Sequence, residues 1–145
     1  MGEFDPGLQH GQVVTNDELQ RVFKCSGQGG MRRSHRTNSL VLITKGSGGT
    51  YFDRWEGAVF HYTGMGLTGD QSLDRTQNKT LAESDTNGVA VFHFDNPEPN
   101  QYVFTGKVRL AAGPYPETQP DKDGNKRRVW VFPLQVVGEE EWHQA

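Results

Sequence analysis

The longest unbroken apolar runs in this chain are four residues, among them Leu40–Ile43 and Val129–Phe132. A helix that crosses a membrane needs about 20 apolar residues. A core-facing helix needs apolar side chains recurring every three or four positions. Short apolar blocks set between turn-forming residues suit strands instead. The residue types agree: 13 valines, 8 phenylalanines, 4 tyrosines and 3 tryptophans stand against a single isoleucine. Such side chains pack well on a pleated surface. The 145 residues suffice for one domain. Leu, Ile, Val and Phe make up 31 of them, so the core is small.

The pattern predicts strands over 39–44, 58–63, 89–94, 102–111 and 127–137. Thr15-Asn16-Asp17-Glu18 reads as a capping box that opens a helix over 16–24. Residues 26–38, first Gly-rich and then Arg-rich, read as a loop. Gly46, Gly48 and Gly49 mark a turn, and residues 64–69 a tight turn region. The stretch 72–84 reads as irregular or weakly helical. Residues 96–100 read as a hairpin-type loop and 121–125 as a turn. The fold class expected is mainly β (α+β), a small, strongly curved barrel with one or two short helices. Residues 1–15 read as an N-terminal extension or vector-derived segment, 16–137 as the domain, and 138–145 as an acidic tail or linker start. No secretory leader is visible. The single cysteine, Cys25, forms no internal disulfide, which suits a reducing cytoplasm.

The net charge of −3 and pI near 5.9 argue, taken alone, against a nucleic-acid binder. The distribution argues otherwise. Arg21, Lys24, Arg32, Arg33, Arg36, Lys45 and Arg54 fall in one stretch with Asp53 as its sole acid, a local +6. Three arginines with Ser34 and Thr37 suit phosphate contact, although a solvated basic loop would look the same. A second cluster is aromatic: Tyr51, Phe52, Trp55, Phe60 and Tyr62, with Asp53 and Glu56 among them. Aromatic faces sandwich a planar base, and a carboxylate accepts from the exocyclic amine of cytosine. The same residues would also serve as core with solvent-facing acids.

Gly64 to Gly69 satisfies the dinucleotide-binding spacing, but the following strands read as hairpin-connected rather than as a parallel crossover. His10, His35, His61, His93 and His143 are scattered, so no metal framework is expected. A metal-dependent nuclease would have to draw on Asp53, Glu56, His61, Asp70 and Asp74.

The segment Tyr62-Thr63-Gly64-Met65-Gly66, then Gly69-Asp70-Gln71, then Asn78-Lys79-Thr80-Leu81-Ala82-Glu83-Ser84 resembles the SRA domain. Arg33-Ser34 ahead of Ser39–Leu42, and Asp121–Gly124 ahead of Arg127–Leu134, extend the resemblance to about residues 20–137. It is nearest to the bacterial SRA-like domains joined to HNH nucleases. The resemblance implies an SRA/PUA-like barrel that binds duplex DNA and flips a modified cytosine, 5-methylcytosine or 5-hydroxymethylcytosine, into a pocket. It implies Tyr51 and Tyr62 as the stacking pair, Asp53 as the acceptor, and Thr63 and Gly64 as the floor. Gln28, Gly29, Gly30 and Met31 would form a minor-groove finger. Arg32, Arg33, Ser34, Arg36 and Lys79 would meet the DNA backbone. The chain would be a non-catalytic specificity module without cofactor or membrane partner. It would be fused to a nuclease domain in a bacterial cytoplasmic protein and would be compatible with a homodimer. The arm that carries an Asn-Lys-Arg tip in mammalian members is missing, because only Met65–Gly69 separates Tyr-Thr-Gly from Asp-Gln. A related barrel that binds RNA or single strands is the remaining alternative.

Overall fold

The computed structural model describes residues 4–46, 51–74 and 76–138. In chain order these are β1 (Val13–Val14), α1 (Asn16–Phe23), β2 (Met31–Ser34), β3 (Ser39–Lys45), β4 (Arg54–Glu56), β5 (Val59–Thr63), α2 (Thr76–Ala82), β6 (Ala90–Glu98), β7 (Gln101–Leu110), β8 (Tyr115–Pro120) and β9 (Lys126–Val136). The strands form one sheet in the order β2-β3-β6-β7-β9-β5-β4, with β1 added to β7 and β8 to β9. Among the described strands only β3 and β6 run parallel; every other pair is antiparallel. The fold is mainly β with two helices, as expected. A small, strongly curved barrel is expected; the described strands follow an open path from β2 to β4, and their pairing does not close the sheet. No described helix is long and apolar enough to cross a membrane.

The sheet carries a core on each face. Leu40, Leu42, Val91, Phe60, Tyr62, Phe132 and Leu134 pack with Leu81 of α2 on one side. Val41, Ala90, Phe92, Phe94 and Phe104 pack with Leu19 and Phe23 of α1 on the other. This explains the unbroken apolar run at Leu40–Leu42. Alternate side chains point to opposite faces, and both faces are covered. Helix α1 starts at the expected capping box: the Thr15 hydroxyl accepts from Glu18 N–H at 3.2 Å, and the Glu18 carboxylate accepts from Thr15 N–H at 2.9 Å. Leu8 and Val14, which precede this helix, are buried in the second core.

Two local expectations are corrected. Residues 26–38 are not a continuous loop: 31–34 pair with β3 in full register, while 26–30 and 35–38 stay outside the strands. Met31 is buried in the first core, and Ser34 Oγ donates to Lys24 O at 3.0 Å, so this polar segment is fixed from both sides. The loop expected at 96–100 is mostly strand; β6 runs to Glu98 and turns through Pro99-Asn100, with Asn100 at φ 61°. Residues 115–120, for which the pattern predicts no element, form β8. Two prolines hide this strand from a pattern reading, yet they sit on a strand paired only to β9, where a missing N–H is tolerated. The turn at Gly48-Gly49 and the tail Glu139-Glu140-Glu141 lie outside the described residues. The glycine turn at 64–69 leads into α2, but its preceding strand β5 pairs antiparallel with β9, which is not the dinucleotide-binding crossover.

Candidate functional site

Asp53 stands at the entrance to β4, where the ends of β3 and β5 converge on it. One carboxylate oxygen, Oδ1, accepts from Thr63 N–H at 2.7 Å. The other, Oδ2, accepts from the Thr44 hydroxyl at 2.8 Å. Burial outweighs the hydrogen bonds from Thr63 and Thr44 and the nearby Arg54 charge, and pushes the Asp53 carboxyl up to about 6. Two tyrosines border it. Tyr51, half-buried, accepts from Gly66 N–H at 3.1 Å through its hydroxyl, and burial raises its phenol. Tyr62 is only 3% exposed; its hydroxyl donates to Gly30 O at 2.8 Å. Burial also raises this phenol, with the Asp53 charge a further cause.

Thr63 is buried, and its hydroxyl accepts from Gln119 Nε2 at 3.1 Å. Gln119 also accepts from Phe52 N–H at 3.2 Å and donates to Glu117 at 2.6 Å. This side chain of β8 therefore joins both walls of the site. Gly64 has no room for a side chain, because a Cβ there would sit 2.6 Å from Asn78 Oδ1. Asn78 of α2 holds both backbone groups of Met65, accepting at 2.8 Å and donating at 3.0 Å. Gln71 donates to Gly64 O at 2.6 Å and accepts from Trp130 N–H at 2.9 Å. Arg127 donates to Gly66 O at 2.5 Å and Gly69 O at 3.0 Å. Its Nε and Nη2 are buried without a hydrogen-bond partner among the described residues. Gln71 and Asn78 thus brace the 64–69 turn, which meets the Tyr51 hydroxyl through Gly66 N–H.

The structure brings Tyr51, Asp53, Tyr62, Thr63 and Gly64 together. It separates the expected basic contacts into two kinds. Arg32 is 5% exposed; Nε donates to Gly29 O at 2.8 Å and Nη1 to Asn16 Oδ1 at 2.7 Å. Arg33 spends its guanidinium on Ser39 O at 3.1 Å and Asn38 Oδ1 at 3.0 Å, and Ser34 is buried. These residues hold β2 and its turn rather than a mobile loop. Arg36 and Lys79 are exposed, as are Arg21, Lys24 and Lys45. Gln28, Gly29 and Gly30 are exposed as a tip above β2, while Met31 is anchored in the core. Tyr62 ties this tip to the Asp53 cluster through Gly30 O.

The residues named for a metal-dependent nuclease do not converge. Glu56 and His61 approach each other, His61 Nε2 lying 3.5 Å from a Glu56 oxygen. Asp70 is engaged with Arg128 N–H at 2.8 Å. No group of three or more His, Cys, Asp or Glu that could hold a metal ion occurs among the described residues. Sequence reasoning missed Thr44, His93, Thr105 and Gln119, all of which reach the site only through strand pairing. Gln71 and Asn78 were visible as motif residues but carried no role.

The sequence profile of the ScoMcrA-like SRA domain matches residues 10–145. The chain belongs to this SRA family. Solved structures agree on the SRA fold. The sulfur-binding and SRA domains of ScoMcrA complexed with phosphorothioated DNA superpose with a TM-score of 0.74 at 21% identity, covering 93% of this chain and 42% of that one. The modification-dependent TagI restriction endonuclease superposes at 0.67 and 21% identity, covering 97% and 53%. The SRA domain of SUVH5 bound to fully hydroxymethylated CG DNA superposes at 0.67 and 22% identity, covering 94% of each chain. This chain spans about half or less of the two restriction proteins. No curated protein matches it in sequence.

Proposed function

We propose that this SRA domain reads a modified cytosine in duplex DNA by taking the base out of the helix and binding it beside Asp53. The single observation that carries the reading is the Asp53 carboxylate, gripped by Thr63 N–H and the Thr44 hydroxyl between Tyr51 and Tyr62. Flipping costs a few kcal/mol. Stacking contributes roughly 1–3 kcal/mol per base, and hydrogen bonds to the base edge add to it. A carboxylate acceptor favours the cytosine amine over the thymine carbonyl, which would leave it unpaired at about 1–3 kcal/mol. A buried methyl group adds only about 0.8 kcal/mol.

The exposed basic residues Arg36 and Lys79, with Arg21, Lys24 and Lys45, supply the contacts to phosphate, while Arg32, Arg33 and Ser34 hold β2 and the turn that carries Arg36. The exposed tip Gln28–Gly30 is the segment that enters the groove beside the vacated position, with Met31 as its anchor. The match to restriction-enzyme SRA domains supports a role as the non-catalytic specificity module of a larger modification-dependent endonuclease, with the HNH nuclease in another part of that protein. Binding to matched duplexes carrying cytosine, 5-methylcytosine or 5-hydroxymethylcytosine tests the reading. One modified duplex should bind tighter at moderate salt; equal affinity for all three would overturn it. A phosphorothioated duplex belongs in the same series, since a ScoMcrA fragment is solved with that DNA.

A further inference from the structure

The hydrogen bonds of Asp53 do not end at Thr44. The Thr44 hydroxyl lies 2.8 Å from His93 Nε2, and His93 Nδ1 lies 2.8 Å from the Thr105 hydroxyl. The three residues come from adjacent strands β3, β6 and β7. Thr105 reaches inward because of a β-bulge: His93 pairs with Gly106 and Phe94 with Phe104, leaving Thr105 as the extra residue. Bulges of this kind re-aim a side chain. His93 is 1% exposed, against the Phe60 ring at 4.7 Å between centroids.

Donor and acceptor counting orders the chain. Thr44 has one hydroxyl proton, and an ionised Asp53 accepts only, so that proton points to Asp53. Thr44 must then accept from His93 Nε2–H. His93 Nδ1 is left as an acceptor and takes the Thr105 hydroxyl proton. Burial supports this state, since it holds the His93 imidazole neutral with a pKa lowered to about 3. In the reverse order a protonated Asp53 would donate to Thr44, and every bond would turn around.

We propose that Thr44, His93 and Thr105 are positioning residues for base selection: they commit Asp53 to acting as a hydrogen-bond acceptor toward the extruded base. The inference rests on the base-reading role of Asp53. Both oxygens accept from donors of the protein, so an ionised Asp53 offers a further partner lone pairs only. That suits the exocyclic amine of cytosine and rejects the carbonyl at the same position of thymine. The other charged or titratable groups facing Asp53 are Tyr51, Tyr62 and Arg54.

Thymine carries the same methyl group as 5-methylcytosine and differs at the edge that Asp53 would read, so the two bases form the test. Affinities are measured for duplexes that differ only by 5-methylcytosine paired with guanine or thymine paired with adenine. Wild type should favour 5-methylcytosine. Thr44→Val, which removes the hydroxyl and keeps the shape, should shrink that ratio by about tenfold, and Thr44→Ser should restore it. Thr105→Val should act in the same direction. Nitrogen NMR of the His93 ring should show the Nε2–H tautomer, and the Asp53 carboxyl should titrate higher in Thr44→Val. A wild-type preference that survives Thr44→Val, or an Nδ1–H tautomer at neutral pH, would overturn the chain while leaving the pocket intact. A wild type that binds cytosine, 5-methylcytosine and thymine duplexes equally would overturn the pocket and the chain together.

Discussion

Asp53, half-buried, and His93, fully buried, are titratable groups displaced in opposite directions, and their effects on stability oppose each other. Burial raises Asp53 from its ordinary 3.8 to about 6. Between those pH values the folded chain holds a proton that the unfolded chain has released, so this group costs stability as pH rises. His93 is lowered from 6.5 to about 3. Its contribution is complete above 6.5 and is lost as pH falls, because the unfolded chain gains a proton that the folded chain excludes. From pH 4 to 6 the two slopes nearly cancel. Asp53→Asn removes one of them. Its stability should rise with pH in that window more steeply than that of wild type, by about 1.4 kcal/mol per pH unit. Urea unfolding at pH 4, 5 and 6 measures this, and parallel curves would show that Asp53 is not raised. Tyr62→Phe should cost about 0.5–1.5 kcal/mol through the lost bond to Gly30 O. Tyr62→Ala should also abolish the preference for a modified base, read as affinity ratios on matched duplexes.

At the scale of elements, the 64–69 turn and strand β2 are the two parts that other segments hold in place. Gly64→Ala drives a methyl group to 2.6 Å from Asn78 Oδ1 and 3.1 Å from Phe132 Cε1. It should destabilise the fold by about 1–3 kcal/mol, seen as a lowered unfolding midpoint. Arg32→Ala should lose about 1.5–3 kcal/mol of stability, because its buried guanidinium ties Asn16 of α1 to Gly29. Had it been a surface contact to phosphate, only DNA affinity would change. The long strands were legible in the sequence because burial on one or both faces leaves a clear apolar record: Leu40–Ile43, Val89–Phe94 and Val129–Phe132 all lie in or at the start of strands. The capping box placed α1 for a similarly local reason. β2 and β8 left no such record. Arg32-Arg33-Ser34 is held through hydrogen bonds rather than apolar contact, and Pro116 and Pro120 are tolerated by a strand paired on one side. In the site, Tyr62, Thr63 and Gly64 were legible as a motif. The links from Thr44 to His93 and from Thr63 to Gln119 join residues 49 and 56 positions apart, and only the sheet order brings them together.

Over the whole molecule, the net charge of −3 conceals an uneven distribution. The stretch 21–54 carries +6 and the remainder −9, and the exposed members of the basic stretch include Arg21, Lys24, Arg36 and Lys45. Affinity for an unmodified duplex should be weak and salt-sensitive, with the bound base supplying more of the total than in a uniformly basic protein. Replacing Arg36 and Lys79 together by alanine should weaken binding to every duplex alike. It should also flatten the slope of log affinity against log salt by about 1.8, two phosphate contacts at about 0.9 each. An unchanged slope would place the backbone contacts elsewhere on the surface. The central claim concerns the pocket itself. The measurement that meets it most directly is a crystal structure of the chain with a duplex carrying one modified cytosine. The account predicts an extrahelical cytosine beside Tyr51 and Tyr62, its exocyclic amine on the Asp53 carboxylate. A bound duplex with every base stacked, or an extrahelical base seated away from Asp53, would contradict it.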